Sequence, residues 1–283
     1  APMHFNVIDV ETANPDCSSI CQVGVASFED CSFVGSWSSL VNPDDYFDSV
    51  NISIHGINEE MVRNAPKWPT VYEQLLQICN SAVVVSHTHF DRIAVIQACE
   101  RSEIEPAEWL WLDSASVVRR TWPEFIRSGY GLANVAGHLG IVFRHHDAEE
   151  DARAAGEIML RAIAKSGASI DEWLKKVKRR ITPEFRSIES ISDGALTGER
   201  IVFTGALSMP RREAAELAAN AGCAVDAGVT KHTTLLVVGD QDILQLAGQE
   251  KSGKHRKAEG LIQSGQPIRI IGESDFRRLL AIE

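Results

Sequence analysis

Three short stretches of the sequence set acidic or imidazole side chains into apolar surroundings. In Val7-Ile8-Asp9-Val10-Glu11-Thr12, Asp9 and Glu11 are two residues apart. On a β-strand they would share one face at a spacing of about 7 Å. Carboxylates so placed repel each other and lose hydration unless a cation lies between them, so a divalent metal site is the economical expectation. In Val83-Val84-Val85-Ser86-His87-Thr88-His89-Phe90-Asp91, an apolar strand leads through a polar turn into a helix with Asp91 in its first turn. The helix dipole favours an acid there. His87 and His89 have no companion His or Cys at zinc-ligand spacing and read as turn or groove residues. The third stretch, His145-His146-Asp147-Ala148-Glu149-Glu150-Asp151, opens a long amphipathic segment. Within one helix, His146 and Asp151 would point about 140° apart. His146 is therefore best placed just before the helix, turned back over a site that Asp151 enters from the second turn.

Positioning these residues requires a sheet with helices packed on it. Segments 5–10, 23–28 and 33–41 read as strands of an antiparallel meander. Segments 70–79, 90–101 and 148–164 read as helices, and 82–85 as a short buried strand. The expected class is α/β, a mixed sheet with flanking helices.

With 283 residues, the chain has room for two domains at roughly 100 to 200 residues each. Its 44% hydrophobic and 24% charged residues exclude a natively unfolded chain. The net charge of -11 is unevenly spread: residues 1–165 carry 11 Lys and Arg against 23 Asp and Glu, whereas residues 198–283 carry 11 of each. An acidic surface repels phosphates at long range, so a nucleic-acid site in the first half must work through divalent metal or a local basic groove. The expected division is a first domain over 3–165, a basic helix and linker over 166–195, and a second domain over 196–283. The run Lys175-Lys176-Val177-Lys178-Arg179-Arg180 reads either as a solvated helix face or as a contact for a nucleic-acid backbone. No apolar run approaches the roughly 20 residues needed to cross a bilayer, so the expectation is a cytoplasmic protein without membrane contact. The six cysteines include no CxxC pair and are expected to be reduced and packed.

The three stretches, in their order, resemble the DnaQ-like (DEDDh) exonucleases, whose motifs are DxE in a strand, an Asp opening a helix, and His-x-x-x-x-Asp. The resemblance covers residues 4–165, and Ile54-His55-Gly56-Ile57-Asn58 is similar to a His-Gly-Ile segment found between that family's first two motifs. It implies a ribonuclease-H-like mixed sheet and two Mg²⁺ or Mn²⁺ ions per site. It maps Asp9, Glu11, Asp91 and Asp151 onto the metal-binding acids and His146 onto the general base. The same count from His145 lands on Glu150, so His146 with Asp151 is the better pair. A sister family uses Tyr as the base, and no Tyr stands at that spacing before Asp151. Thr12 and Ala13 map to where the family holds a terminal nucleotide, with a plain loop as the other reading. His55 either touches that nucleotide or packs beneath it.

The second half has the element order βαββαβα, with Val202-Phe203-Thr204-Gly205, Leu236-Val237-Val238-Gly239 and Gly253-Lys254-His255-Arg256-Lys257-Ala258 in sequence. It resembles a single BRCT domain over about 196–283, in the style of bacterial DNA ligases and clamp-loader large subunits. This implies a small parallel sheet between helices. In some such domains a Thr-Gly turn and a Lys bind a phosphate; the matching residues are Thr204, Gly205 and Lys254, with Arg211 beside them. The other readings are a shaped turn with solvated cations, or a module for homodimerisation or protein docking. Together the resemblances imply a 3′-to-5′ exonuclease acting on nucleic acid, DNA before RNA, with a C-terminal module for a DNA end or a partner. The alternatives are an RNA or oligoribonucleotide exonuclease, or an idle scaffold binding nucleic acid or phosphopeptide.

Overall fold

The computed structural model describes residues 3–80, 83–126, 128–178, 194–245 and 251–282. The chain divides into two compact units, one formed chiefly by residues up to 179 and the other chiefly by residues from 180 onward.

In the first unit, β1 (His4–Thr12), β2 (Ile20–Glu29) and β3 (Ser32–Leu40) form the expected antiparallel meander. β2 and β3 are joined by Asp30 and Cys31, at φ 44 and 64. Two successive left-handed residues match the twist of a tight hairpin. Cys31 is exposed there, which corrects the expectation that all six cysteines are packed; the other five are buried and all are free. Between β3 and the next strand come α1 (Ser49–His55), which up to Ile54 counts with the second unit, and then α2 (Glu59–Val62) and α3 (Trp68–Ile78). β4 (Val83–Ser86) then pairs in parallel with β1, α4 (Phe90–Arg101) crosses over, and β5 (Leu110–Asp113) pairs in parallel with β4. The sheet order is β3-β2-β1-β4-β5. Residue 82 of the expected fourth strand lies outside the described residues. The unit continues through α5 (Ser114–Thr121), a 3₁₀ turn (Pro123–Ile126), α6 (Leu132–His138), α7 (Ala148–Ser166) and α8 (Ile170–Val177).

Strand alternation selects the faces. Phe5, Val7, Ala26 and Phe28 join Leu112 in the same buried cluster as Ile158, Met159 and Ala162 of α7. The buried stripe of α7 is made mostly of alanines with Gly156, so its axis can come close to the sheet. Two glycines set the distance. A Cβ on Gly156 would lie 2.0 Å from the ring of Phe28, and one on Gly24 would lie 2.2 Å from the backbone carbon of Ala148. The first turn of α7 therefore rests directly on β2. There Gln22 Oε1 accepts the Ala148 amide at 3.2 Å and Asp147 accepts the Glu149 amide at 3.2 Å, satisfying donors that a helix start leaves open.

α8 alters the expected boundary at 165. Its Ser169–Glu172 capping box starts a helix whose Ile170 and Trp173 belong to the first unit's core. Arg120 also donates to the Val177 carbonyl at 3.3 Å. The start of the expected basic helix is thus packed structure. Arg179, Arg180 and residues 181–193 of the expected linker lie outside the described residues.

The second unit contains β6 (Arg200–Thr204), α9 (Arg211–Asn220), β7 (Ala224–Val225), β8 (Leu235–Val238), α10 (Asp240–Gln245), α11 (Gly253–Gln263), β9 (Arg269–Gly272) and α12 (Glu273–Leu280). Its four strands are all parallel, in the order β7-β6-β8-β9. Val202, Leu236, Val238, Ala258 and Ile262 are part of its core, and Phe203 meets Phe276 edge-on with centroids 5.3 Å apart. The short α10, with Ile243 as its buried apolar residue, is an element the sequence reading does not contain.

The close approach at Gly24 leads to a prediction. Gly24→Ala must push α7 off β2, and overpacking of this kind costs about 1 to 3 kcal/mol. Thermal unfolding should show a clearly lowered midpoint; a wild-type midpoint would mean that the helix does not sit as described.

Candidate metal centre

Asp9 and Glu11 lie on the α7 face of β1, in alternation with Phe5 and Val7. Asp9 pairs with Gly24 and Glu11 with Gln22 across β1 and β2. The missing side chain at Gly24 lets α7 start above Asp9, and Asp151, 3% exposed, enters from that helix. One carboxylate oxygen from each of Asp9, Glu11 and Asp151 lies within 4.8 Å of the other two.

Asp91 arrives from α4. β4 ends at Ser86 while β1 runs on to Thr12, so the amide of Val10 lies beyond the parallel ladder. Asp91 Oδ1 accepts that amide at 3.0 Å. The fourth acid is thereby tied to the residue between Asp9 and Glu11.

His146 precedes α7 with φ 67, a left-handed conformation that bends the chain back. Its amide donates to Asp151 Oδ2 at 3.1 Å, and its ring Nδ1 is 4.0 Å from Glu11 Oε1. His145 takes a position that spacing did not reveal. Its Nδ1 is 3.1 Å from both oxygens of Asp151, and its ring stacks on that of His146 with centroids 3.8 Å apart. A carboxylate can only accept, so His145 Nδ1 carries the proton and Asp151 is held in orientation. Glu150, the acid that counting from His145 would select, instead pairs with Arg153 at 3.1 Å.

Residues 7–159 match the family model RNase_T, described as Exonuclease. The chain belongs to this exonuclease family. A relative, the 3′-5′ exonuclease DinG of Bacillus subtilis (strain 168), is 28% identical over 182 residues, covering 62% of this chain and 19% of that protein. A DNA polymerase III PolC-type protein of Caldanaerobacter subterraneus subsp. tengcongensis is 26% identical over 164 residues, covering 57% of this chain and 12% of that one. The chain thus spans less than a fifth of either relative. DNA polymerase III subunit epsilon of Treponema pallidum (strain Nichols) is 25% identical over 167 residues, covering 56% of this chain and 76% of that one. Among solved structures, Exonuclease X in complex with 5′ overhanging duplex DNA matches with a TM-score of 0.51 at 20% identity, covering 60% of this chain and 98% of that one. E. coli Exonuclease I in complex with a dA16 oligonucleotide matches with a TM-score of 0.52 at 15% identity, covering 62% and 43%. These likenesses are of fold, the ribonuclease-H-like exonuclease fold with its mixed five-stranded sheet.

Beside the acids of the exonuclease unit, the structure brings Thr12, Ala13 and His55 together. The Ile57 amide donates to His55 Nδ1 at 3.0 Å, so Nε2 bears the proton and donates to the Thr12 carbonyl at 3.0 Å. Burial pushes the pKa of this imidazole down, against the pull of the Thr12 carbonyl. Ala13 is buried, and its amide donates to the Ser19 carbonyl at 2.8 Å. His87 is buried too, with Nε2 2.7 Å from the Tyr130 carbonyl and Nδ1 2.8 Å from Ser114 Oγ; burial also lowers its pKa. Among the described residues, neither His87 nor His89 falls in a potential metal-binding group.

In the second unit, Thr204, Gly205, Arg211 and Lys254 meet at the end of β6. Arg211 donates to the carbonyls of Phe203 and Gly205, both at 2.9 Å, and Lys254 donates to the Phe203 carbonyl at 3.2 Å. Thr204 Oγ1 lies 2.7 Å from Ser252 Oγ. Burial, then the charge of Arg211, pulls the Lys254 pKa down. Asp242 of α10, absent from the sequence reading of this cluster, accepts the Ala206 amide at 2.7 Å. Gly205 has φ 75, and a Cβ there would meet Asp242 Oδ2 at 2.1 Å.

The half-buried imidazole of His55 and the buried one of His87 predict a pH dependence of stability. Their folded pKa values lie below the unfolded value of about 6.5, so the unfolded chain binds protons that the folded chain refuses. Their contribution is fully present above about pH 6.5 and is lost as the pH falls. NMR titration of the imidazoles of metal-free protein between about pH 7.5 and 5.5 should find these two rings still neutral near pH 6.5, where an ordinary imidazole is half protonated; ordinary titration of both rings would contradict neutral imidazoles at these positions.

Proposed function

We propose that the first unit is a metal-dependent 3′-to-5′ exonuclease acting on DNA, and that the second is a BRCT module that docks it on a phosphorylated DNA end. The observation that carries the first part is the convergence of Asp9, Glu11 and Asp151 within 4.8 Å, with Asp91 tied to the strand between two of them. An all-oxygen donor set of this kind fits Mg²⁺ or Mn²⁺, and these four acids would hold the ions. When bound, two such ions supply charge stabilisation to the attacking and departing oxygens of a phosphodiester.

The chain's own residues do the rest. The imidazole of His146 is 42% exposed at the rim of the acids and takes the proton of the attacking water at a ring nitrogen. His145, stacked on His146, keeps Asp151 oriented. The Thr12 carbonyl, braced by His55, shapes the floor where a terminal nucleotide would rest. The 3′-to-5′ direction is supported by the name of the B. subtilis relative, and DNA by the polymerase relatives. For the second unit, support comes from two cations gathered on one turn of a small parallel sheet, although their donors already engage main-chain carbonyls. The alternative for that unit is a homodimer or protein contact. Among the described residues, no helix is long and apolar enough to cross a membrane.

One set of assays on the full chain tests both parts. Labelled single- and double-stranded DNA should be shortened from the 3′ end with Mg²⁺ and left intact with EDTA, with RNA cut more slowly. Asp9→Ala should lower the rate by several orders of magnitude, and His146→Ala by roughly 10² to 10⁴ with Mn²⁺ affinity retained. Equal rates for Asp9→Ala and wild type would refute the site, and faster RNA cleavage would move the assignment to RNA. Lys254→Glu should weaken binding to 5′-phosphorylated duplex ends more than about tenfold. Equal binding of phosphate and hydroxyl ends by the wild type, with a concentration-dependent dimer, would favour docking instead.

A further inference from the structure

The turn from β4 into α4 delivers Asp91, and its geometry is held from outside the acidic site. Thr88, in the middle of this turn, has φ 85, a conformation that side chains with a Cβ rarely adopt. A conformation of that kind persists only when the surroundings over-determine it. Asp113, at the end of the neighbouring β5, provides this. Its Oδ1 accepts the Thr88 amide at 2.9 Å, and Ser86 Oγ donates to the Thr88 carbonyl at 2.6 Å. The peptide groups on both sides of Thr88 are therefore fixed.

Asp113 is itself firmly placed. Ser86 and Asp113 are register partners in the parallel pair of β4 and β5. The same carboxylate caps α5, accepting the amides of Ala115 at 2.8 Å and Ser116 at 3.1 Å and the Ser116 hydroxyl at 2.6 Å. His89 and Arg119 approach its Oδ2 at 3.7 and 3.6 Å. Burial opposes its charge, but His89, Arg119 and the Ser116 hydroxyl outweigh that and hold its pKa at about 2. Capping of α5 needs only the two local amides. The bond to Thr88 reaches back 25 residues to the turn that carries Asp91.

Resting on the proposed metal site, we infer that Asp113 is a positioning residue: it locks Thr88 in its left-handed conformation and so sets Asp91 on the Val10 amide between Asp9 and Glu11. Among the described residues it belongs neither to the group of Asp9, Glu11 and Asp151 nor to that of His145, His146 and Asp151, the two that could hold a metal ion, so it acts through the turn. Residues that orient metal ligands typically change metal affinity by about 10- to 100-fold when removed.

The test is Mn²⁺ affinity by calorimetry alongside the unfolding midpoint, for wild type, Asp113→Ala, Asp113→Ala with Thr88→Gly, and Asp9→Ala. Glycine adopts positive φ without strain, so Thr88→Gly relieves the turn of its need for Asp113 while leaving the α5 cap broken. Asp113→Ala should bind Mn²⁺ at least about tenfold more weakly and melt lower. Adding Thr88→Gly should recover most of the lost affinity but not the cap's share of the melting temperature. A lower midpoint with unchanged Mn²⁺ affinity, or no recovery with Thr88→Gly, would reduce Asp113 to a helix cap and overturn the inference. If Asp113→Ala does not fold, Asp113→Ser, whose shorter hydroxyl can still cap α5 but is expected to lose the bond to Thr88, undergoes the same comparison with the same outcomes for Mn²⁺ affinity. A wild type that binds no Mn²⁺, or an Asp9→Ala variant that binds as well as wild type, would overturn the metal site and this inference with it.

Discussion

At Gly24 the first turn of α7 meets the backbone of β2 with no side chain between them. Gly24 makes that contact possible, and Gly24 is also the cross-strand partner of Asp9. Any larger residue would lift the helix and carry Asp151 away from Asp9 and Glu11. The alanine stripe of α7 and Gly156 over Phe28 continue the same close approach along the helix. The acids are thus gathered by backbone packing, which is stiffer than any arrangement of long side chains.

The gathering is electrostatically unfavourable by itself, since three carboxylates within 4.8 Å repel one another. The surrounding polar groups offset part of this. The Val10 amide donates to Asp91, and the His146 amide and His145 imidazole donate to Asp151. The remaining demand for positive charge fits the proposed cation site within an acidic unit, and under that proposal it reconciles the charge of the first half with a polyanionic substrate.

Much of this was legible in the sequence because it depends on local periodicity. Alternation places Asp9 and Glu11 on one strand face, helical periodicity predicts α4 over its full span, and the need to bend His146 back over Asp151 follows from helix geometry. What was not legible depends on tertiary contact. Nothing about Gly24 in sequence marks the helix that will rest on it. The contact of His145 with Asp151 requires the left-handed turn at His146, which spacing cannot show. Trp173 looks the same in a solvated helix as in the core where the structure places it. Asp113 is an ordinary helix cap until its bond to Thr88 is seen.

The claim on which all else rests is that these acids hold divalent cations between them. The most direct test is anomalous scattering at the manganese edge from crystals of the full chain grown with Mn²⁺. The account predicts peaks bounded by Asp9, Glu11, Asp91 and Asp151, two of them about 3.5 to 4 Å apart once a nucleotide is bound. Strong manganese peaks elsewhere, with none among these four carboxylates, would contradict it.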